Sequence, residues 1–503
     1  MKAAPSFQFL RRASGLLLAA AFFGLVFLFS PFRERFEFDL DEGVEVMKGF
    51  LLARGYPMYT QIWSEQPPLF TYLLAVAFRL FGFEVDVGRI LVLLFSALLL
   101  AASFYFLYLA WGYWHALVGA LLIILLPYYV TLSVSVMIGL PAVALAVVSL
   151  AALGLWHRRR WRAWLVLSAA VLALSVLIKI ITAFLAPLFI IGLLCAEIFQ
   201  SAQPAGWRSR FAGRSWFTPA LLWGLVFVSV AGLLGLLMVG PANLSQLLDT
   251  HLLAEQIGGA SYPGAQSIYW HLRESWAVLL LALLGVLFTI WKKNWLSLYL
   301  VAWAITALLL LSFHEPVWYH HQLLVTVPAA LLAGIASGEG VRLLAGLLRQ
   351  NRHFTPRSLV SILALVGLVL VMVDRYPKIA PELSHPAYFL PGLDRAPWPE
   401  QMFLVKMANH APETRWVVTN LPMYAFRVGL PVPPPLAVMS EKRIVTGELT
   451  EAQIIAIVQQ VRPEQVLLGR REFPELEAVL KQDYRLLYSR GKRQLYLRKD
   501  IRQ

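Results

Sequence analysis

Residues 38–75 read FDLDEGVEVMKGFLLARGYPMYTQIWSEQPPLFTYLLA. This stretch sets Asp39, Asp41, Glu42, Glu45 and Glu65, followed by the stiff pair Pro67-Pro68, between apolar segments. Carboxylates are costly to desolvate beside hydrocarbon, so a cluster of them at a membrane boundary points to function. A solvated acidic external loop is the competing reading, and charge alone leaves both open. Asp39 and Asp41, flanking Leu40, offer paired oxygens of the kind a divalent cation takes. If Glu42–Leu52 is helical, Asp41 and Glu45 fall one turn apart on one face. Gly55-Tyr56-Pro57 then ends that helix.

The rest of the chain is built for lipid. Of 503 residues, 59% are hydrophobic and 14% charged, with mean hydropathy +0.66, which excludes an ordinary soluble protein. The formal charge of +14 lies in short clusters between apolar runs: Arg11-Arg12, Arg158–Arg162, Arg208/Arg210/Arg214, Lys292-Lys293 and Arg342/Arg349/Arg352/Arg357. That is the distribution that orients helices in a bilayer, and no nucleic-acid partner is expected. The lone Cys195 excludes a disulfide framework or a thiol metal site.

Expected spans are Ser14–Ser30, Val87–Ala110, His115–Thr131, Val136–Trp156, Ala163–Ile178, Thr182–Phe199, Trp216–Val239, Ser275–Trp291, Trp295–Phe313, Gln322–Ser337 and Ser358–Val373. Pro68–Phe81 is short for a span, and parity settles its reading. Only if it stays on one side as a re-entrant or interfacial helix do all the basic clusters share the side of the N-terminus. The expectation is therefore an α-helical polytopic protein of about eleven transmembrane helices, with juxtamembrane helices in a first outer loop over 31–86. The N-terminus is then cytoplasmic and the C-terminus extracytoplasmic, with the protein in the plasma (inner) membrane. Residues 1–374 form the membrane domain, 375–398 a Pro-rich linker, and 399–503 a small extracytoplasmic α/β domain. Strands are expected at 415–420, 465–469, 484–489 and 493–498, the last two joined by a tight turn at Arg490-Gly-Lys. Helices are expected over Thr450–Val461, with a capping box from Thr450 to Gln453, and over Pro474–Lys481.

Several basic groups stand at outer boundaries, against the prevailing bias. Arg89 opens the second span, Lys179 interrupts LSVLIKIITAFLAP, and His314, His320 and His321 border an outer turn. Such cations could hold an anionic lipid head group; snorkelling or a simple interface role is the plainer alternative. A His-His pair without a carboxylate at ligand spacing is a weak zinc signal. The chain lacks GxxxxGK[ST], GxSxG, HExxH and a helix-opening GxGxxG, so ATP-driven transport and the common hydrolase plans find no support.

Taken in order, the first span, the loop opening Asp41-Glu42, the Gly55-Tyr56-Pro57-x-Tyr59 stretch, Pro67-Pro68-Leu69 before an apolar helix, the lysine of Leu177-Ile178-Lys179 and WYHHQLLVTVPAALLAG (318–334) resemble the GT-C glycosyltransferases. The likeness is to the protein O-mannosyltransferase and lipid A aminoarabinose transferase group (glycosyltransferase families 39 and 83), and it covers roughly Phe38–Gly340. The resemblance implies transfer of a sugar from a polyprenyl-phosphate donor to a glycan, lipid or protein acceptor at the outer face; with one carboxylate acting and no second nucleophile evident, inversion at the sugar carbon is expected. It implies that Asp41 is the catalytic base with Glu42 beside it. Arg89, Lys179, His320 and His321 would face the donor phosphate, and Asp39, Tyr56 and Glu65 would orient the acceptor or the loop. Where relatives often carry Glu-Lys-Pro-Pro, this chain has Glu65-Gln66-Pro67-Pro68, and VTLSVSVMIGLPA has no carboxylate. No cofactor is expected, and a divalent cation, if bound, would use Asp39 and Asp41. The alternative is a transporter or flippase for lipid-linked sugars.

Overall fold

The computed structural model describes residues 5–200, 217–247, 264–348, 356–384, 399–469 and 471–502. Apolar runs become helices because, in hydrocarbon, each backbone N–H and C=O must be satisfied within its own segment. Seven described helices are long and apolar enough to cross a membrane, from Val85–Ala110 to Ser358–Ile379, and the bent pair Gly264–Arg273 and Trp276–Trp291 makes an eighth if taken as one span. Ala13–Phe29, Tyr113–Ile124 and Arg162–Ile178 are shorter apolar helices packed into the same bundle. These helices follow the order of the expected spans, and the chain is a multi-helix integral membrane protein.

One expected span is cut short. In place of a helix over His115–Thr131, the helix stops at Ile124, Tyr128 turns left-handed at φ 60, and a short helix Tyr129–Ser133 follows. Apolar composition could not reveal this break. The last long helix also runs on to Ser384, into the residues expected as linker, and an i,i+4 ion pair between Asp374 and Lys378 supports it. Residues 385–398 of that linker lie outside the described residues, as do the arginines at 208, 210, 214, 349 and 352.

The buried hub is Leu323–Leu348, which packs on Tyr113–Ile124, Trp276–Trp291, Trp295–Phe313 and Pro356–Ser384. Small residues allow this close approach: a Cβ on Gly334 would stand 2.8 Å from the amide nitrogen of Gly119.

The loop over residues 31–86 is structured. Leu40–Ala53 and Leu69–Phe81 are helices that pack on each other. The second has 13 residues, roughly 20 Å at 1.5 Å per residue, too short for a hydrocarbon core of about 30 Å. Beyond the bundle, β1 (Val417–Thr419), β2 (Gln465–Leu468), β3 (Tyr484–Arg490) and β4 (Arg493–Arg498) form one sheet in the order β1-β2-β4-β3. β1 and β2 are parallel and the other pairs antiparallel. Gly491, at φ 59, makes the β3–β4 turn, and the Thr450–Gln453 capping box opens Glu451–Val461. The helix Pro422–Arg427 of this unit lies against Leu40–Ala53. A Cβ on Gly43 would stand 2.8 Å from the Met423 amide nitrogen, so the contact needs glycine there.

A buried ion pair fastens the loop to the bundle. Glu42 and Arg89 are both fully buried. Arg89 Nε and Nη2 donate to the two Glu42 oxygens at 2.9 Å each, and Nη1 donates to the carbonyls of Phe32 (2.6 Å) and Arg35 (2.8 Å). Glu42 also accepts from the amides of Phe38 (2.9 Å) and Val136 (3.2 Å). A buried charge pair is tolerated only when its remaining hydrogen-bonding capacity is met in this way. Arg427 adds the C-terminal unit, its Nη2 donating to the Arg35 and Phe36 carbonyls.

Removing one partner strands a buried charge, which costs about 3–5 kcal/mol. Arg89→Met should therefore lower stability by about that amount in equilibrium denaturation from mixed micelles. Combining it with Glu42→Gln should recover part of the loss, because no bare charge then remains.

Candidate active site

The N-terminus of Leu40–Ala53 organises one wall of the site. Asp39 is its N-cap, and its Oδ1 accepts from the Asp41 amide at 3.0 Å. This satisfies one of the orphan donors of the first turn and sends Asp41 outward. One turn on, Glu45 lies on the same side, and both line a cavity of about 270 Å³. Asp41 keeps solvent exposure through that cavity, while the protein packed around the cavity limits its hydration. Burial, with the Asp39 and Glu45 carboxylates beside it, pushes the Asp41 carboxyl up to about 7, and Lys179 pulls the other way. A carboxyl in that range can both take and return a proton near neutrality.

Lys179 forms the facing wall. The helix Arg162–Ile178 stops there because Lys179 adopts extended backbone (φ −146, ψ 114) before a 3-10 turn over Ile180–Phe184. The Ser175 hydroxyl secures the break by donating to the Ala142 carbonyl at 2.7 Å while lying 3.0 Å from the Thr182 hydroxyl, which itself donates to the Lys179 carbonyl at 3.0 Å. Lys179 is buried, and among the described residues its ammonium has no ion-pair partner. Gly139 lies at the same point: a Cβ there would be 3.9 Å from Lys179 Nζ and 3.7 Å from the His320 ring. His320 and His321 complete this wall with ring centroids 4.5 Å apart. His321 Nδ1 accepts from the Trp318 amide, whereas His320 Nδ1 is buried without a hydrogen bond among the described residues.

The remaining walls come from the loop and the C-terminal unit. Lys48 Nζ donates to Glu45 Oε1 at 2.7 Å. Tyr59, left-handed at φ 66, donates from its hydroxyl to the Gln66 carbonyl at 2.8 Å, folding residues 56–66 so that Trp63 and Glu65 reach the cavity. Burial raises the Glu65 carboxyl above the usual carboxylate range. Among the described residues, Glu45 Oε2 and Glu65 Oε2 are buried without a hydrogen-bond partner. Val438, Ser440 and Lys442 close the cavity from the C-terminal side, held by Arg443, which donates to the Pro435 and Val438 carbonyls and lies over the Trp63 ring.

The structure thus brings together Asp41, Glu65, Lys179, His320 and His321 of the expected site residues. Glu42 and Arg89 stand behind the wall, committed to each other. Asp39 acts as a helix cap, and Tyr56 packs edge-on against Trp416, ring centroids 5.9 Å apart, outside the cavity lining. Among the described residues, no group of three or more His, Cys, Asp or Glu side chains is arranged to hold a metal ion. Sequence reasoning missed Lys48, Trp63, Ser440 and Lys442. Lys48 had a local signal, since it falls one turn from Glu45 on a helix; the others carried none.

Residues 65–231 match the family model described as dolichyl-phosphate-mannose-protein mannosyltransferase. Comparison with curated proteins finds no match. Among solved structures, the chain is similar to ArnT from Cupriavidus metallidurans bound to undecaprenyl phosphate, with TM-score 0.58 and 15% identity over 98% of each chain. It is also similar to the oligosaccharyltransferase AglB from Archaeoglobus fulgidus in complex with an inhibitory peptide and a dolichol-phosphate, with TM-score 0.56 and 13% identity over 92% of this chain and 70% of that one. The family match over 65–231 and the fold over almost the whole length agree with the likeness read from the first loop: the chain has the fold of the GT-C glycosyltransferases.

Proposed function

We propose that this chain is a membrane glycosyltransferase that moves a sugar from a polyprenyl-phosphate donor to an acceptor at the extracytoplasmic face. The observation that carries the reading is the cavity that Asp41 and Lys179 share, which sets a carboxylate and a buried cation on one lining. The similar structures were solved with undecaprenyl phosphate and with dolichol-phosphate, which supports a lipid-phosphate donor.

In this reading the acceptor, a glycan, lipid or protein, approaches from the loop and C-terminal side, where Glu45 and Glu65 present unfilled acceptor oxygens. Asp41 takes the proton of the attacking group as its bond to the sugar carbon forms. The bond from that carbon to the phosphate oxygen breaks, and Lys179, with His320 and His321, stabilises the charge on the departing phosphate. A single displacement inverts the sugar carbon. Glu42 and Arg89 position the helix that carries Asp41. The C-terminal unit 399–503 forms the outer rim, and the N-terminus lies in the cytoplasm.

The base works as the carboxylate, so kcat/KM should climb as pH rises through about 7 and fall again as Lys179, which burial lowers to about 8, gives up its proton. Asp41→Asn should cost at least about 10²-fold, the lower end for a positioned general base, and abolish that rise. Asp39→Asn should lose far less. Initial rates of purified protein in nanodiscs, with a panel of polyprenyl-phosphate hexoses and pentoses, give both readings. Lys179→Met should raise the donor KM and slow transfer at limiting donor; wild-type kinetics there would reduce Lys179 to an anchor. The orientation is checked in a Cys195→Ser background: single cysteines at the exposed positions Thr60 and Glu84, either side of Leu69–Phe81, should both react with an impermeant thiol reagent from outside the cell. Labelling from opposite sides would overturn it.

A further inference from the structure

A second cavity, of about 340 Å³, lies at the far end of the bundle. Val85–Ala110 starts beside Glu42 and ends here at Trp111. Arg11, Trp111, Tyr113, Trp114 and Arg342 line the cavity, and Ala345 and Gly346 leave its floor open. Trp111 is fixed by its indole N–H, which donates to the Ser297 hydroxyl at 2.6 Å, while Trp114 is exposed. Beneath them Glu339 Oε1 accepts from Lys292 (2.7 Å) and Arg342 (3.0 Å) and meets His115 Nε2 at 3.1 Å. Lys292 also stands over the Trp111 ring. Two cations, Lys292 and Arg342, thus share one carboxylate, and a third, Arg11, lines the same cavity over the Tyr113 ring, so cations outnumber carboxylates here.

We infer that this cavity binds the phosphate of an anionic phospholipid headgroup. Arginine donors match phosphate oxygens in bidentate geometry. Tryptophan and tyrosine favour the membrane–water boundary, and basic pockets between helix ends take anionic headgroups. Snorkelling arginines alone would not account for a walled cavity with a pinned indole. Glu339 holds Arg342 and Lys292 in place, so the site is arranged before lipid arrives. Its ligand is separate from the donor of the proposed transfer reaction, and the inference stands whether or not that reaction is correct.

Native mass spectrometry of the purified full chain in non-ionic detergent tests this. The chain is titrated with phosphatidylglycerol, with phosphatidylcholine, and with phosphatidylglycerol in the presence of inorganic phosphate. The tightest binding event should favour phosphatidylglycerol over phosphatidylcholine at least tenfold. Arg11→Gln and Arg342→Gln should each weaken it about fivefold, the size of one basic contact to an anionic leaflet. Ala345→Phe should weaken it as much by filling the cavity while leaving every charge in place, which separates lost binding from lost folding. Equal affinity for the two lipids, or wild-type affinity in Ala345→Phe, overturns the inference. Full displacement of phosphatidylglycerol by millimolar phosphate would assign the cavity to a free phosphate and overturn the lipid reading.

Discussion

The first loop and the cavity beside it depend on one buried ion pair. Glu42 and Arg89 are taken out of water together, an arrangement favourable only because both are saturated with further hydrogen bonds. The pair joins the loop entry, the start of Leu40–Ala53, the second long helix and the turn at Val136. Asp41 is the neighbour of Glu42, so fixing Glu42 sets the direction in which Asp41 points. The Asp39 cap does the same from the other side. The catalytic candidate is therefore a free carboxylate between two committed ones.

The cavity brings together segments far apart in the chain. Lys179 arrives from a helix break, the histidines from the start of the hub helix, and Ser440 and Lys442 from the C-terminal unit. A membrane enzyme handling a lipid-borne phosphate and a polar acceptor needs opposite chemistries on facing walls, and the two walls differ in that sense. The Lys179 wall is cationic and backed by apolar helices. The Glu45–Glu65 wall carries carboxylates beside Lys48 and Lys442 and is built from the loop and the C-terminal unit.

Much of the architecture was legible in the sequence because hydropathy reports what bilayer physics demands of the backbone. The helix at Leu40–Ala53, its end before Gly55, the interruption at Lys179, the Thr450 capping box and the β3–β4 turn all rest on local chemistry. What could not be read depends on distant contacts. Arg89, at the head of an apolar helix, signalled that it needed an anion, but nothing in its spacing selected Glu42 over a donor phosphate. Tyr56 stands beside a helix end that reads as functional, yet it packs on Trp416. The reach of Ser440 and Lys442 into the cavity follows from the docking of Pro422–Arg427 on Gly43, which no local pattern encodes.

The central claim is that sugar transfer takes place between Asp41 and Lys179. An electron cryomicroscopy map of the full chain with a non-hydrolysable polyprenyl-phosphonate sugar tests it most directly. The account predicts the phosphonate within hydrogen-bond distance of Lys179 Nζ, with the sugar carbon facing the Asp41 carboxylate. Density for the phosphonate away from this cavity, or with the sugar turned from Asp41, would contradict it.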